Sequence, residues 1–357
     1  MSLAPLPQVV RLDDEAPPGW DALAVDAPGG QVLQGTTWAE HIRARGGRPR
    51  FAAFSDGRVA LVLEGRSRLA GREAHCRRGP ISAGDPPLAV AARATALADR
   101  LRAEGLGALT VDPELPADPD YERAMALAGF RPAREAQPSI HVMRLALPPG
   151  STETGLRAAC SKSTRQRIRA AEAAGVIVRD DPDGQALDAF AGFLEATAER
   201  RGFELRPQAG YLGWWRRLLA ARQARFLVAE RDGRLLGAIL LYLQGGTYAT
   251  AFSGDLISER RNVPGVMHLL RWTVIREALT GGAEAVMLGG VDTPGQRAIP
   301  SGPADPGWGL YQHKAGYGAS WVWQTRARRI VLRPRARLAD AARAARRVLD
   351  GRDPGLD

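Results

Sequence analysis

The chain has 357 residues, of which 45% are hydrophobic and 25% charged, and its formal net charge is +10. That length suits two domains with cores of their own. Two cysteines, Cys76 and Cys160, without a CxxC pair exclude a disulfide scaffold and a cysteine zinc site and point to a reducing compartment. The N-terminal stretch MSLAPLPQVVRLDDEAPPG lacks the charged and apolar regions of a signal peptide. The longest strongly apolar run, LLGAILLYL, has nine residues where a bilayer needs about 20. A cytoplasmic protein is expected, and its positive charge suits a polyanionic partner such as nucleic acid, anionic lipid headgroups or a phosphorylated substrate.

Taken in chain order, the predicted elements repeat. TTWAEHIRARGG predicts an aromatic-rich helix. RFAAFSDGRVALVLEG, Arg50 to Gly65, is two strand-like runs around Asp-Gly, a hairpin signal because glycine takes the positive φ of a tight turn. LAVAARATALADRLRAEG, Leu88 to Gly105, has helical spacing and a glycine stop. GALTVDPEL is a short strand ending in Asp112-Pro113, and YERAMALAGF, Tyr121 to Phe130, is a closing helix. The series then recurs: GYLGWWRRLLAAR, the hairpin RFLVAERDGRLLGAILLYLQGG, the helix GVMHLLRWTVIREALTGG, the strand AEAVMLGGVD and the helix LYQHKAGYG. The hairpin glycines Gly57 and Gly233 lie 176 residues apart, as do the proposed helix stops Gly105 and Gly281. Four matched elements in order imply a duplicated α/β unit. The expected domains are 1–149 and 150–323, with 336–357 a basic C-terminal helix and tail.

The order of each half resembles the GNAT acyltransferase fold, so the fold class expected is α/β with two tandem GNAT-like domains. Ordinary members hold the coenzyme A pyrophosphate on a [QR]xxGx[GA] loop at a helix N-terminus. Here ERRNVPGVMHLL spaces Arg261 and Gly265 four apart, and Pro264 removes an N–H. RGPISAGDPPLAVA is no better. A different acyl donor is therefore expected.

With QGTTWAEHIRARGG, RRGP (Arg77 to Pro80), VDPEL (Val111 to Leu115), KSTRQRIRAAEAAGVIV (Lys162 to Val178), ERRGF, the glycine pair of MLGGVD and GLYQHKAGYG, the chain resembles the FemABX-type peptidoglycan bridge aminoacyltransferases. The match covers roughly Gly35 to Trp323 and lacks the coiled-coil arm of some members. Members carry an acidic residue before the glycine pair, where this chain has Met287 and Leu288. The resemblance implies transfer of an amino acid from aminoacyl-tRNA, as co-substrate and without a bound cofactor, to the stem peptide of UDP-MurNAc-pentapeptide or lipid II. It also implies that the chain after about Trp323 returns to complete the first domain, over about 324–340. Peripheral contact with the inner membrane face would follow if the acceptor is lipid-linked.

The residues offer chemistry of their own. Of 49 basic residues only Lys162 and Lys314 are lysine. Aminolysis of an ester builds negative charge on the carbonyl oxygen, and a compact ammonium meets one oxygen as a point charge better than a planar guanidinium. Lys314 is the candidate for that cation, and the resemblance assigns it the same role; the plainer alternative is an exposed helix lysine. Asp112 is either a general base or the group that orients the nucleophilic amine, as the resemblance implies, or a turn aspartate before Pro113. Arg43, Arg206, Tyr211, Tyr248 and Tyr311 are candidate precursor contacts. Lys162, Arg165 and Arg169 share one helix face that suits tRNA phosphates or is simply solvated. No histidine pair has ligand spacing, so no metal is expected, and no nucleophile elbow is visible. Two rival functions are an N-acyltransferase using coenzyme A or an acyl carrier protein on a small amine, and a non-catalytic RNA-binding protein.

Overall fold

The computed structural model describes residues 6–67, 71–135, 141–201, 210–292, 297–338 and 341. The basic segment expected at 336–357 lies outside the described residues from 342 onward. The chain divides into two compact units, and each is a mixed α/β sheet with helices. No helix among the described residues is long and apolar enough to cross a membrane.

Unit 1 runs through β1 (Val9–Asp13), α1 (Thr36–Ala44), β2 (Arg48–Phe54), β3 (Val59–Ser67), β4 (Gly71–Arg77), α2 (Pro87–Ala103), β5 (Ala108–Asp112), α3 (Pro119–Leu127) and β6 (Arg131–Pro132). Unit 2 follows with β7 (Val142–Ala146), α4 (Glu153–Ala159), α5 (Lys162–Ala173), β8 (Ile177–Asp180), α6 (Leu187–Arg201), α7 (Tyr211–Ala220), β9 (Ala224–Arg231), β10 (Arg234–Gln244), β11 (Thr247–Asp255), α8 (Val266–Thr280), β12 (Ala285–Met287), α9 (Trp308–Ala315) and β13 (Ser320–Val322). A last strand, β14 (Arg328–Val331), belongs to unit 1.

The two seven-stranded sheets have one plan, β1-β2-β3-β4-β5-β14-β6 and β8-β9-β10-β11-β12-β7-β13. In each, an antiparallel meander meets a parallel pair, β4 with β5 and β11 with β12, across a long helix. The sixth place in each row is filled by a strand from elsewhere in the chain. β14 pairs β5 and β6, while β7, which directly follows unit 1 in sequence, pairs β12 and β13. Unit 2 therefore begins at Val142, ahead of the boundary at 149/150 expected from the Pro-Pro-Gly break. Leu147-Pro148-Pro149-Gly150 only ends a strand that is already part of the second sheet.

The repeat is built by local chemistry. The unit 2 hairpin turns on Asp232 (φ 50°) and Gly233 (φ 73°), the two-residue turn whose twist suits the flanking strands. The unit 1 hairpin is a three-residue loop closed by Gly57 (φ 78°), with Phe54 N donating to Arg58 O. Helix α2 stops at Gly105 (φ 84°), and Leu106 N reaches back to Leu101 O. Its counterpart stops one residue later than Gly281. The left-handed residue is Gly282 (φ 71°), and Ala283 N reaches Ala278 O. Helix α8 is apolar on almost every side because it is buried on almost every side. Leu270, Val274 and Ile275 pack on Ile239, Leu241 and Val286, and each such side chain contributes roughly 1.5–3 kcal/mol.

Candidate active site

In unit 2, β11 and β12 pair only from Thr247 with Ala285 to Ala249 with Met287. Beyond Met287 the chain turns through Leu288, Gly289 and Gly290, and Leu288 N and Gly289 O both bond to Met143 of β7. The side chain of Lys314, from the last turn of α9, reaches this place. Its Nζ donates to Gly290 O at 2.9 Å, and only 5% of the residue is exposed. The glycine pair has a reason here. A β-carbon on Gly289 (φ 79°) would stand 3.3 Å from Lys314 Nζ and 3.5 Å from Thr250 O. A side chain at 289 would crowd the ammonium at the point where the strands part.

The KST motif braces this arrangement. Ser161 caps α5, its Oγ accepting from Thr164 N at 3.2 Å, while Ser161 N donates to Gly316 O at 2.8 Å. Thr164 is buried, and its Oγ1 lies so close to Gly316 that a β-carbon there would be 2.4 Å away. Further along α5, Arg167 O packs on Gly265, the left-handed residue (φ 92°) that opens α8. One motif thus fixes the end of the helix that carries Lys314 and the start of α8.

Beside the first turn of α8 lies a cavity of about 530 Å³ wholly within unit 2, lined by α8, α9 and the end of β11. A buried polar chain borders it. Arg271 Nε donates to His313 Nε2 at 2.9 Å, and His313 Nδ1 stands 3.0 Å from His268 Nε2. Since His313 Nε2 must accept, its proton is on Nδ1 and points to His268. Burial lowers the pKa of His313 to about 2, helped by the Arg271 charge, and burial with Arg167 and Arg271 lowers that of His268 to about 4. Both imidazoles are neutral. Arg271 Nη2 donates to Ser253 Oγ at 3.1 Å, and burial lowers the pKa of its guanidinium. The expectation that sequence analysis missed is this Arg271–His313–His268 chain. Its signal was an arginine inside the apolar run LLRWTVI.

In unit 1 the parallel pair ends where Arg77 faces Asp112. Asp112, 4% exposed, accepts from Arg78 N at 2.7 Å through Oδ1, and His75 Nε2 lies 3.3 Å from the same oxygen. Asp112 Oδ2 has no hydrogen-bond partner among the described residues. Gln34 accepts from Leu61 N at 2.8 Å, and a β-carbon on Gly79 would lie 2.7 Å from its Cδ. The motifs QGTTW, RRGP and VDPEL therefore converge on the carboxylate that ends β5.

The remaining candidates scatter. Tyr211 opens α7 and stacks on Trp215, with Phe252 of β11 at 5.9 Å between ring centroids. Tyr311, on α9, faces Trp308 and Trp321. Tyr248 stands at the far end of β11, packed on the core with its hydroxyl near Gly281 and Arg225. Arg43 is on the surface of unit 1, donating to Asp14 O at 2.7 Å and to Glu15. Arg206 lies outside the described residues. On α5, Lys162 and Arg169 are exposed, but Arg165 turns back to cap the end of α4 through Ala158 O and Cys160 O. Among the described residues no three His, Cys, Asp or Glu side chains are grouped as metal ligands.

A mixed sheet with a parted parallel pair and a long helix beginning at the gap, occurring twice, is a tandem of GNAT-type folds. Residues 158–297 match the family described as the Acetyltransferase (GNAT) domain. No curated protein sequence matches the chain. Among solved structures it is similar to FemX, with 18% identity and a TM-score of 0.77 over 93% of this chain and 99% of that one. It is also similar to L-PGS from Bacillus licheniformis, with 13% identity and a TM-score of 0.50 over 96% and 98% of the two chains. A third similar structure is the C-terminal domain of a lysylphosphatidylglycerol synthetase candidate from Agrobacterium fabrum, with 16% identity and a TM-score of 0.51 over 90% and 94%. At these identities the likeness establishes the tandem fold.

Proposed function

We propose that the protein is an aminoacyltransferase that moves an amino acid from aminoacyl-tRNA to the stem peptide of a peptidoglycan precursor. The observation that carries this reading is the buried Lys314 ammonium, aimed by α9 and a glycine pair at the gap between β11 and β12. The similarity to FemX along both units supports it. The amine of the precursor attacks the ester carbonyl of the aminoacyl group, and the oxygen gathers negative charge. The ammonium stabilises that charge more than it stabilises the neutral ester, and burial strengthens the interaction. Collapse of the tetrahedral intermediate breaks the ester C–O bond, and the leaving ribose hydroxyl takes up the proton lost by the amine. Asp112 is the residue assigned to orient or deprotonate the amine. Lys162 and Arg169 meet tRNA phosphates, the precursor is the soluble nucleotide or lipid II, and no cofactor is needed.

The test is transfer of radiolabelled amino acids from a fully charged tRNA pool to purified UDP-MurNAc-pentapeptide and to lipid II, with wild type beside Lys314→Met. Label appearing only with wild type supports the reading and identifies the amino acid. No transfer to either acceptor sinks it. A second reading, acyl transfer from coenzyme A, draws on the match of residues 158–297 to the acetyltransferase domain. A rise in melting temperature with acetyl-coenzyme A would favour it.

A further inference from the structure

Helix α9 is eight residues long, and no side chain caps its start. Lys314 is its only buried residue, so apolar packing fixes the roll of the helix weakly. That roll decides where the ammonium goes. Helical side chains reach about 5–6 Å from the axis, so a turn of about 20° would carry a side-chain tip roughly 2 Å. Nζ could not keep its hydrogen bond to Gly290 O over such a displacement. The polar chain that runs from α8 is placed to prevent it.

His313 directly precedes Lys314, and both of its ring nitrogens are bonded to α8, one by Arg271 Nε at 2.9 Å and the other to His268 Nε2 at 3.0 Å. Tyr317, one turn further on, joins the same face. Its hydroxyl donates to His268 O at 3.0 Å, and its ring stands edge-on to His313 at 5.6 Å between centroids. Helix α8 is a fixed reference because it is buried on almost every side. The chain also has a direction. Arginine only donates, so His313 accepts at Nε2 and donates from Nδ1. One rigid ring meets both demands, and two anchors on one ring define an orientation that a single anchor cannot. Successive helical residues are about 100° apart, so fixing His313 fixes the direction of Lys314. We propose that His313, held by Arg271 and His268, is a positioning residue that sets the roll of α9 and so aims the Lys314 ammonium at the gap between β11 and β12. Its importance for catalysis rests on the transferase reading; the aim itself does not.

The test uses the scarcity of lysine. The full chain, isotope-labelled at the lysine ε-carbon, gives only two NMR signals, from Lys314 and the exposed Lys162, and Lys162→Arg assigns them. In wild type the Lys314 signal should stand apart from that of Lys162. His313→Phe keeps a ring of similar size but neither bond. It should move the Lys314 signal toward that of Lys162 and lower kcat by about tenfold to a hundredfold with KM changed less than about twofold, as expected for an ammonium displaced by an ångström or two. His313→Gln, whose amide oxygen can accept from Arg271 and whose amide nitrogen can donate to His268, should keep the signal in place and most of the rate. If His313→Phe does not fold, as judged by circular dichroism, Arg271→Met cuts the chain from the α8 side and should displace the same signal. An unmoved Lys314 signal in the variant that lacks the bonds overturns the proposal, even if its melting temperature falls, and so does a loss of rate that His313→Gln shares in full. A displaced signal in a protein whose wild type shows no aminoacyl transfer would keep the positioning role and sink the transferase reading; wild-type transfer with an unmoved signal would do the reverse.

Discussion

In unit 1 the parallel strands part after Arg77 and Asp112, and the group left at the opening is a carboxylate carried by the strand itself. In unit 2 they part after Ala249 and Met287, and the group at the opening is an ammonium delivered by the closing helix. The counterpart of that helix in unit 1, α3, carries Leu127 near its end, 83% exposed. The same fold position thus holds opposite charges from different elements. Duplication copied the sheet, while the chemistry diverged in the few residues that project into the gap.

The sharpest way to break that comparison is Lys314→Met. If the ammonium stabilises a developing oxyanion, transfer should fall by about 100–1,000-fold, with kcat more affected than KM. The variant should be no less stable, because methionine replaces a buried charge with an apolar chain. Lys314→Arg should fail to restore the rate, since the planar group cannot fit beside Gly289 as a point charge. Retained transfer in Lys314→Met would reduce the lysine to a structural role. Next in size is Gly265→Ala. The new β-carbon would lie 2.0 Å from Arg167 O at a φ of 92°, so the backbones of α5 and α8 must separate. Urea unfolding should report a loss of about 3 kcal/mol. A loss below about 1 kcal/mol would mean that α5 does not brace α8 as described.

Much of the fold was legible because its signals are local. Asp-Gly between apolar runs, glycine after helical periodicity and the aromatic helices α1 and α7 each reflect short-range sterics or one-sided burial. The partners of β7, and from the residues alone those of β14, were harder to read, although the family resemblance returned the chain after about Trp323 to the first domain. Each is a four- or five-residue strand, and its pattern states which face is apolar but not which sheet receives it. At the candidate site, the scarcity of lysine pointed to Lys314, and the structure supplies the geometry of the glycine pair. The basic face of α5 was misleading in part. Arg165 looks like Lys162 in sequence, but only three dimensions reveal the carbonyls of α4 that it caps. Arg271 was overlooked because an arginine in an apolar helix reads as an interruption, whereas its partners Ser253 and His313 come from 18 and 42 residues away.

The two histidines give unit 2 a pH dependence that comes from the α8–α9 contact. With pKa values lowered from 6.5 to about 4 and about 2, they stay neutral in the folded protein while the unfolded chain takes up protons. Stability is therefore full above pH 6.5 and falls as pH drops. Each histidine contributes a slope of up to about 1.4 kcal/mol per pH unit, both between 6.5 and 4 and His313 alone below that. Unfolding of His313→Gln between pH 7 and 4.5 should show a shallower slope than wild type. An unchanged slope would place the acid sensitivity elsewhere. Asp112→Asn should be milder still, about tenfold in transfer rate with little loss of stability, because the amide oxygen still accepts from Arg78 N. An unchanged rate would make Asp112 a turn residue.

The smallest effects belong to the hairpins, and they test whether the repeat is equivalent in energy as well as in shape. Gly57 (φ 78°) and Gly233 (φ 73°) each have open space where a β-carbon would go, with no atom within 4 Å. Alanine at either position should therefore cost only the backbone penalty of a left-handed residue, about 1 kcal/mol. The loops differ, however. In unit 2 Asp232 is left-handed too, so the turn has two strained neighbours, whereas in unit 1 the left-handed geometry of the loop rests on Gly57. If the turn conformation is imposed by the paired strands, the two alanine variants should match within about 0.5 kcal/mol by urea unfolding. A markedly larger loss for Gly233→Ala would mean that the two-residue turn itself sets the register of β9 and β10, and that the copies have diverged in how they fold as well as in what they hold.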